Sequence, residues 1–170
     1  MAGRLSAILG SAVFLVIAPG TMAGLVPWWI SGWTMQTPFA GYGAVRGLGI
    51  ACMALGLVVL LDSFARFAWQ GFGTPAPPLP TRHLVVQGFY RRVRNPMYVA
   101  VVLLVAGQAL LLGDWRLLLY GALFWLTCHL FVVLYEEPTL QRSFGAEFAA
   151  YRAAVPRWIP RVTPWRGERN

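Results

Sequence analysis

The sequence predicts an all-α protein, a multi-pass bundle of about four transmembrane helices with a C-terminal amphipathic helix on the cytoplasmic side. Composition supports this fold class, because 58% of the 170 residues are apolar and only 12% are charged, unlike a soluble domain. Hydropathy supports it as well, since the apolar residues form runs long enough to cross about 30 Å of hydrocarbon. The length suits one domain, residues 1–170.

The charge of the chain is strongly positive, with 14 basic residues against six acidic ones. The basic residues flank apolar runs and form no patch interleaved with aromatic residues, so a nucleic-acid partner is not expected and membrane lipids are. Cys52 and Cys128 lie inside apolar runs at no metal-binding spacing, which predicts core residues and no metal site.

Residues 1–70 are predicted to hold the first two spans. Residues 5–30 are apolar and uncharged, with kinks or a turn expected at Pro19 and Pro27. A cleaved signal peptide is the alternative, but the multi-span remainder favours retention. Residues 27–44 are rich in tryptophan and are predicted to form an interfacial loop. The second span, 47–61, carries small residues suited to close helix packing: Gly47, Ala51, Cys52 and Gly56.

Residues 71–95 are predicted to be a cytoplasmic connector, Pro-rich at 71–80 and therefore extended, followed by an Arg-rich motif. Residues 96–135 are predicted to be a helical hairpin, with spans at 96–112 and 115–135 joined by a turn at Gly113 and Asp114. The apolar run stops at Glu136, Glu137 and Pro138, which predicts the end of the fourth span.

Residues 136–170 form the predicted C-terminal segment. Leu140, Phe144, Phe148, Tyr151 and Val155 recur at spacings of three and four, which predicts an amphipathic helix against the bundle or the membrane surface. The tail after it contains tryptophan and arginine and is expected to rest on lipid headgroups.

The arginines also predict the topology. With four spans, one side receives twelve arginines and the other receives only Arg46 and Arg116. The positive-inside rule then places both termini in the cytoplasm. All 14 basic residues are arginine. This codon preference is typical of a GC-rich bacterial genome, so a bacterial inner membrane is the expected location.

The stretch GFYRRVRNPMY at 88–98 is the strongest candidate for chemistry. Asn95 suits a helix N-cap and Pro96 the first helical position, so the positive end of a helix should lie beside Arg94. Such a site would bind a carboxylate or a phosphate. Tyr98 would line the same cavity or anchor at the interface.

Glu136 and Glu137 end the opposite arm of the hairpin, so they are predicted to lie near Arg94. Carboxylates at a helix C-terminus near a membrane are costly unless they are paired or functional. The alternative is that they begin a new helix or pair with arginines. His129 lies seven residues before Glu136, within about 20° on the helical wheel, and is either functional or a core residue. The same choice holds for Gln108.

The second half of the chain resembles the integral membrane methyltransferases related to isoprenylcysteine carboxyl methyltransferase and the phospholipid N-methyltransferases. Three ordered stretches carry the resemblance: GTPAP at 73–77, LVVQGFYRRVRNPMY at 84–98 and EEPTLQRSFGAEFAAYRAAVPRWIP at 136–160. The first two spans resemble the family only in hydropathy. One departure is Asn95, where the isoprenylcysteine enzymes usually have histidine.

The resemblance implies S-adenosylmethionine bound at the cytoplasmic face. Its carboxylate suits Arg94, its ammonium or ribose a glutamate, and its sulfonium and adenine aromatic rings. The cofactor residues carried over by motif position are His83, Leu84, Val85, Gly88, Tyr90, Arg94, Asn95, Pro96, Tyr98, Glu136 and Glu137. The catalytic candidates are Arg94, Glu136 and His129.

The predicted function is methyl transfer from S-adenosylmethionine to a lipophilic acceptor: a carboxylate, a phospholipid amine or a thiol. The first alternative is a non-catalytic scaffold or carrier with the same helical frame. The second is a lipid sensor acting through the C-terminal helix, for which the glutamate pair would be dispensable.

Overall fold

The computed structural model describes residues 13, 15–38, 41–70, 84 and 86–167. The predicted Pro-rich connector at 71–80 and the predicted cofactor residues His83 and Val85 lie outside these described residues. Within them the protein is helical and has no strand, which confirms the all-α class. The helices are α1 (Leu15–Ser31), α2 (Gly43–Gln70), α3 (Pro96–Leu112), α4 (Trp115–Phe131) and α5 (Glu137–Ala154).

Two prolines that were expected to interrupt helices lie inside them. A π-helical turn, Thr21–Leu25, precedes Pro27 in α1, and a second one, Val132–Glu136, precedes Pro138 and joins α4 to α5. A proline removes one N–H and crowds the carbonyl four residues earlier, and a wider turn relieves both problems. The helical backbone therefore continues past Tyr135 into α5, and the predicted end of the fourth span at Tyr135 stays a prediction.

The predicted interfacial loop at 27–44 is also shorter than expected. Trp28 and Trp29 belong to α1, which continues to Ser31 and ends at Gly32, a residue in the left-handed conformation with φ of 59°. Glycine adopts this conformation without a steric penalty, so α1 ends at Gly32 and not at the tryptophans before it.

Helix α2 is longer than the predicted span of 47–61. It continues past Asp62 because Arg66 one turn later pairs with that carboxylate at 2.8 Å, so the charges are satisfied within the helix. A Cβ at Gly49 would lie 2.7 Å from the carbonyl oxygen of Gly107 on α3. Glycine thus permits this close approach of the two backbones, whereas a Cβ at the predicted contact residue Gly47 would meet no atom of another element within 4 Å.

The hairpin turn between α3 and α4 agrees with the prediction. Gly113 is left-handed with φ of 76°, and the Asp114 carboxylate accepts a hydrogen bond from the backbone N–H of Arg116 at 3.0 Å. A glycine C-cap followed by an aspartate N-cap stops one helix and starts the next within two residues. The turn brings the start of α3 to the same end of the molecule as the α4–α5 junction.

The predicted amphipathic face exists and packs on the protein itself. Its five apolar residues lie in one cluster with Leu84, Val86 and Trp165. Helix α5 is interrupted at Gly145, where the backbone is not helical (φ 53°, ψ −120°). The tail then returns along the Arg-rich motif, because the backbone N–H groups of Arg161 and Trp165 bond to the carbonyls of Arg92 and Arg91. This part of the tail therefore rests on protein rather than only on headgroups.

Membrane association has support from two helices that are long and apolar enough to cross a bilayer, Gly43–Arg66 and Trp115–Ala154. Helices α1 and α3 are apolar but shorter. Large apolar side chains such as Leu57, Val58 and Leu123 are about half exposed on the outer faces of the helices. Exposed apolar surface of this extent is expected of a protein that meets lipid.

Candidate functional site

A cavity of about 300 Å³ lies between α1, α2, α3 and α4, at the end where α3 begins and α4 meets α5. One basic residue, Arg94, and one acidic residue, Glu136, line it. Its remaining lining residues are mostly apolar or aromatic: Ala18, Pro19, Met22, Phe64, Tyr90, Asn95, Met97, Tyr98, Val101, Phe124 and Cys128. An apolar cavity with a few polar groups is the usual form of a small-molecule site.

Arg94 is fixed by three contacts. Its Nη1 lies 2.6 Å from a carboxylate oxygen of Glu137, its Nε donates to the carbonyl of Val155 at 2.9 Å, and its backbone N–H bonds to Pro156. The side chain is only 11% exposed, and this burial lowers the pKa of Arg94, although Glu137 opposes the shift. A guanidinium remains protonated in proteins, so Arg94 brings a fixed positive charge to the cavity wall.

Glu137 holds arginines and does not line the cavity. Its carboxylate also receives a fork of two hydrogen bonds from Arg157, at 2.7 and 2.9 Å. These bonds raise the pKa of Arg157. Glu137 was expected to touch the cofactor, but both of its oxygens are taken by arginines. Its position therefore indicates that it orients Arg94.

Glu136 faces the cavity. Its one hydrogen bond in the described structure comes from the Tyr98 hydroxyl at 3.4 Å, which is long. Neighbouring residues in a helix differ by about 100° in direction, so Glu136 and Glu137 reach different surroundings. The cavity thus has a fixed cation on one side and a weakly bonded carboxylate on another.

Asn95 and Pro96 begin α3 as expected, with Asn95 at the N-cap position and Pro96 in the first turn. The Asn95 side chain makes no capping bond, and its Nδ2 donates to the carbonyl of Arg157 at 3.2 Å. The backbone N–H groups at the start of α3 therefore donate no bond to the side chain of Asn95, which lines the cavity. Pro96 is buried at the first helical position and does not line it.

His129 lies outside the cavity lining, and its catalytic assignment has no support in the geometry. Its Nδ1 accepts a hydrogen bond from the Trp158 indole at 3.0 Å, and its ring stacks on Trp125 with 5.3 Å between centroids. The predicted alignment with Glu136 fails because the π-helical turn lies between them and changes the angle. Gln108 is buried and bonds to the carbonyl of Ala23, which indicates a core role.

The remaining predicted cofactor residues separate into two groups. Tyr90 lines the cavity, and burial raises the pKa of its hydroxyl well above the usual value, so it remains neutral. Leu84 packs in the cluster of α5, and Gly88 lies in a short 3₁₀ turn, Gly88–Arg91, and does not line the cavity.

Two tail residues were missed by the sequence reasoning. Arg157 clamps Glu137, and Trp158 contacts His129 and lies 6.4 Å from the Tyr98 ring. Both lie in the third stretch that carries the family resemblance, at 136–160, but no role was predicted for either. The α1 contribution to the cavity, from Pro19 and Met22, had no signal in the apolar pattern.

Comparison with known proteins assigns the family. A search of curated proteins found no match to this chain. The family model described as phospholipid methyltransferase matches residues 45–147, more than half of the chain. This range includes most of α2, all of α3 and α4 and the cavity residues from Phe64 to Glu136, whereas Arg157 and Trp158 lie beyond it. The chain belongs to the phospholipid methyltransferase family.

Proposed function

We propose that the protein is a membrane methyltransferase that uses S-adenosylmethionine and a lipophilic acceptor. The observation that carries the proposal is the pairing of Arg94 and Glu136 across one largely apolar cavity. The family supports methyl transfer in general. A scaffold with the same helices would need no weakly bonded carboxylate facing a cavity.

The residues present fit S-adenosylmethionine by their chemistry. Arg94 suits its carboxylate, Glu136 suits its ammonium, and the rings of Tyr90 and Tyr98 suit the sulfonium or the adenine. The cavity volume of about 300 Å³ is at the lower end of the range for ligand pockets. When bound, this donor supplies an electrophilic methyl group on a sulfonium.

The contribution of the chain itself is orientation and exclusion of water. Arg94 is held by Glu137 and by the tail carbonyls, so it can bind an anion without first losing side-chain entropy. Phe64, Phe124 and Val101 make the cavity wall apolar, which strengthens the charge interactions inside it.

The kind of acceptor determines the role of Glu136. A carboxylate or thiolate acceptor needs no base, but it would need a second cation, and Arg94 is the one basic residue in the described lining. An amine acceptor must lose a proton, and the Glu136 carboxylate can take it on the oxygen that does not pair with the ammonium of the donor. The described geometry therefore supports an amine better than a carboxylate.

We further propose that all four apolar helices cross the bilayer and that both termini lie in the cytoplasm. The arginine distribution supports this topology. In the described part of the chain, helices α1 and α3 have 17 residues each, which is about the minimum for a span.

The test is transfer of a labelled methyl group. Membranes containing the protein are incubated with methyl-labelled S-adenosylmethionine, and the lipid-soluble product is identified. We expect label in an amine lipid, and less of it with Glu136→Gln. Label in a methyl ester would overturn the amine assignment, and no lipid-soluble label with any acceptor would overturn the enzyme proposal.

A further inference from the structure

A second pocket, of about 400 Å³, is lined by other residues of the Gly88–Arg91 turn than the cavity is. We call it the basic pocket, because three of its eight lining residues are arginines and none is acidic. Those residues are Arg66, Val86, Gln87, Gly88, Arg91, Trp165, Arg166 and Gly167. The family match ends before the last three of them.

Arg66 and Gly88 lie in contact with each other in the lining of the basic pocket. The Arg66 guanidinium is oriented by two hydrogen bonds to Asp62, at 2.9 and 2.8 Å, and lies directly over the Gly88 backbone. A Cβ at Gly88 would overlap this guanidinium, and its φ of +56° also favours glycine. The pocket therefore depends on a glycine that lets an arginine approach the turn.

The other two arginines hold charge that nothing in the described structure neutralises. Arg91 donates a hydrogen bond from its Nε to the carbonyl of Trp165. Its other two guanidinium nitrogens have no acceptor among the described residues. Arg166 makes no ion pair or hydrogen bond among the described residues. Asp62 offsets only the charge of Arg66, so the described residues of the basic pocket carry an excess of two positive charges.

We propose that the basic pocket binds a phosphate group. Guanidinium forks match phosphate oxygens in geometry as well as in charge, and bidentate contacts of this kind are strong. Arg66 ends the first of the two candidate spans, so the basic pocket lies at the level where lipid headgroups are found. Basic pockets between transmembrane helices at this level are suited to anionic headgroups. The phosphate would belong to an anionic phospholipid or to a free phosphate ester.

The basic pocket is adjacent to the proposed methyl-transfer cavity but does not depend on it. The same turn directs Tyr90 to the cavity and Gly88 and Arg91 to the basic pocket. Phosphate binding is measured without methyl transfer, so failure of one proposal leaves the other standing.

The test compares Arg91→Gln and Arg166→Gln with the control Arg142→Gln, which removes the same charge from an exposed position on α5. One arm titrates the purified protein with glycerol 3-phosphate. The other measures retention of phosphatidylglycerol from nanodiscs that are otherwise phosphatidylcholine. Circular dichroism confirms that each variant is folded.

We expect binding in at least one arm to weaken roughly tenfold or more in each pocket variant, since each loses charge-assisted bonds, and to be unchanged in the control. Loss in the first arm identifies a free phosphate ester as the ligand, and loss only in the second identifies a lipid headgroup. Equal binding by all three variants would overturn the inference. So would competition between S-adenosylmethionine and glycerol 3-phosphate, because the basic pocket would then belong to the donor site.

Discussion

Replacement of Glu137 by glutamine tests the arginine clamp. Glutamine keeps the size of the side chain but leaves Arg94 and Arg157 facing each other without the carboxylate that separates their charges. Removing one partner of a buried ion pair costs about 3–5 kcal/mol. Because the Arg157 side chain is 30% exposed, we expect the lower end, about 3 kcal/mol.

This loss corresponds to a fall in melting temperature of about 6–12 °C for a chain of this length. The measurement is thermal unfolding in detergent, followed by tryptophan fluorescence. Glu147→Gln is the matched control, since Glu147 is exposed on the same helix and makes no ion pair in the described structure. It should change stability by no more than about 0.5 kcal/mol.

A single-partner variant sharpens the result. In Arg157→Gln the carboxylate keeps Arg94, so the fall should be smaller than in Glu137→Gln. Equal melting temperatures of Glu137→Gln and the Glu147→Gln control would show that the arginine clamp contributes nothing to stability.

Three further changes test other parts of the structure. Gly49→Ala should lower the free energy of unfolding by about 1–3 kcal/mol, because the added methyl group overpacks α2 against α3, whereas Gly47→Ala should be neutral or slightly stabilising. Equal melting temperatures of the two variants would contradict the close backbone contact. Trp158→Phe removes the indole N–H that donates to His129 and should lower the free energy of unfolding by about 1 kcal/mol. An unchanged melting temperature would show that this hydrogen bond does not stabilise the protein. Tyr98→Phe should reduce labelled methyl transfer less than Glu136→Gln does, because the hydrogen bond from Tyr98 to Glu136 is long at 3.4 Å. A larger reduction in Tyr98→Phe would show that the hydroxyl itself contacts the donor or the acceptor.

The parts of the fold that local signals determine were predictable from the sequence. The bounds of α3 agree with the prediction because Pro96 starts the helix and Gly113 ends it, both through their own backbone preferences. Asp114 then starts α4 as its N-cap. The meeting of Arg94 with the glutamate pair followed from the short hairpin, and the ion pair to Glu137 confirms this proximity.

The rest depended on contacts between residues distant in sequence or on unusual helix geometry. Nothing local indicates that a π-helical turn joins α4 to α5 and lets the helical backbone continue past Pro138. The clamp joins Glu137 to Arg157, twenty residues later, after the chain has reversed direction. Without that pairing, the sequence could not show which glutamate faces the cavity and which is held by arginines.

The decisive experiment for the proposed function is binding of labelled S-adenosylmethionine to the purified protein. We predict saturable binding that weakens about tenfold or more in Glu136→Gln and is unchanged in Glu147→Gln, because only the first loses a charged contact in the cavity. Equal affinity in both variants, or no binding to the unaltered protein, would contradict the claim that this cavity holds the methyl donor.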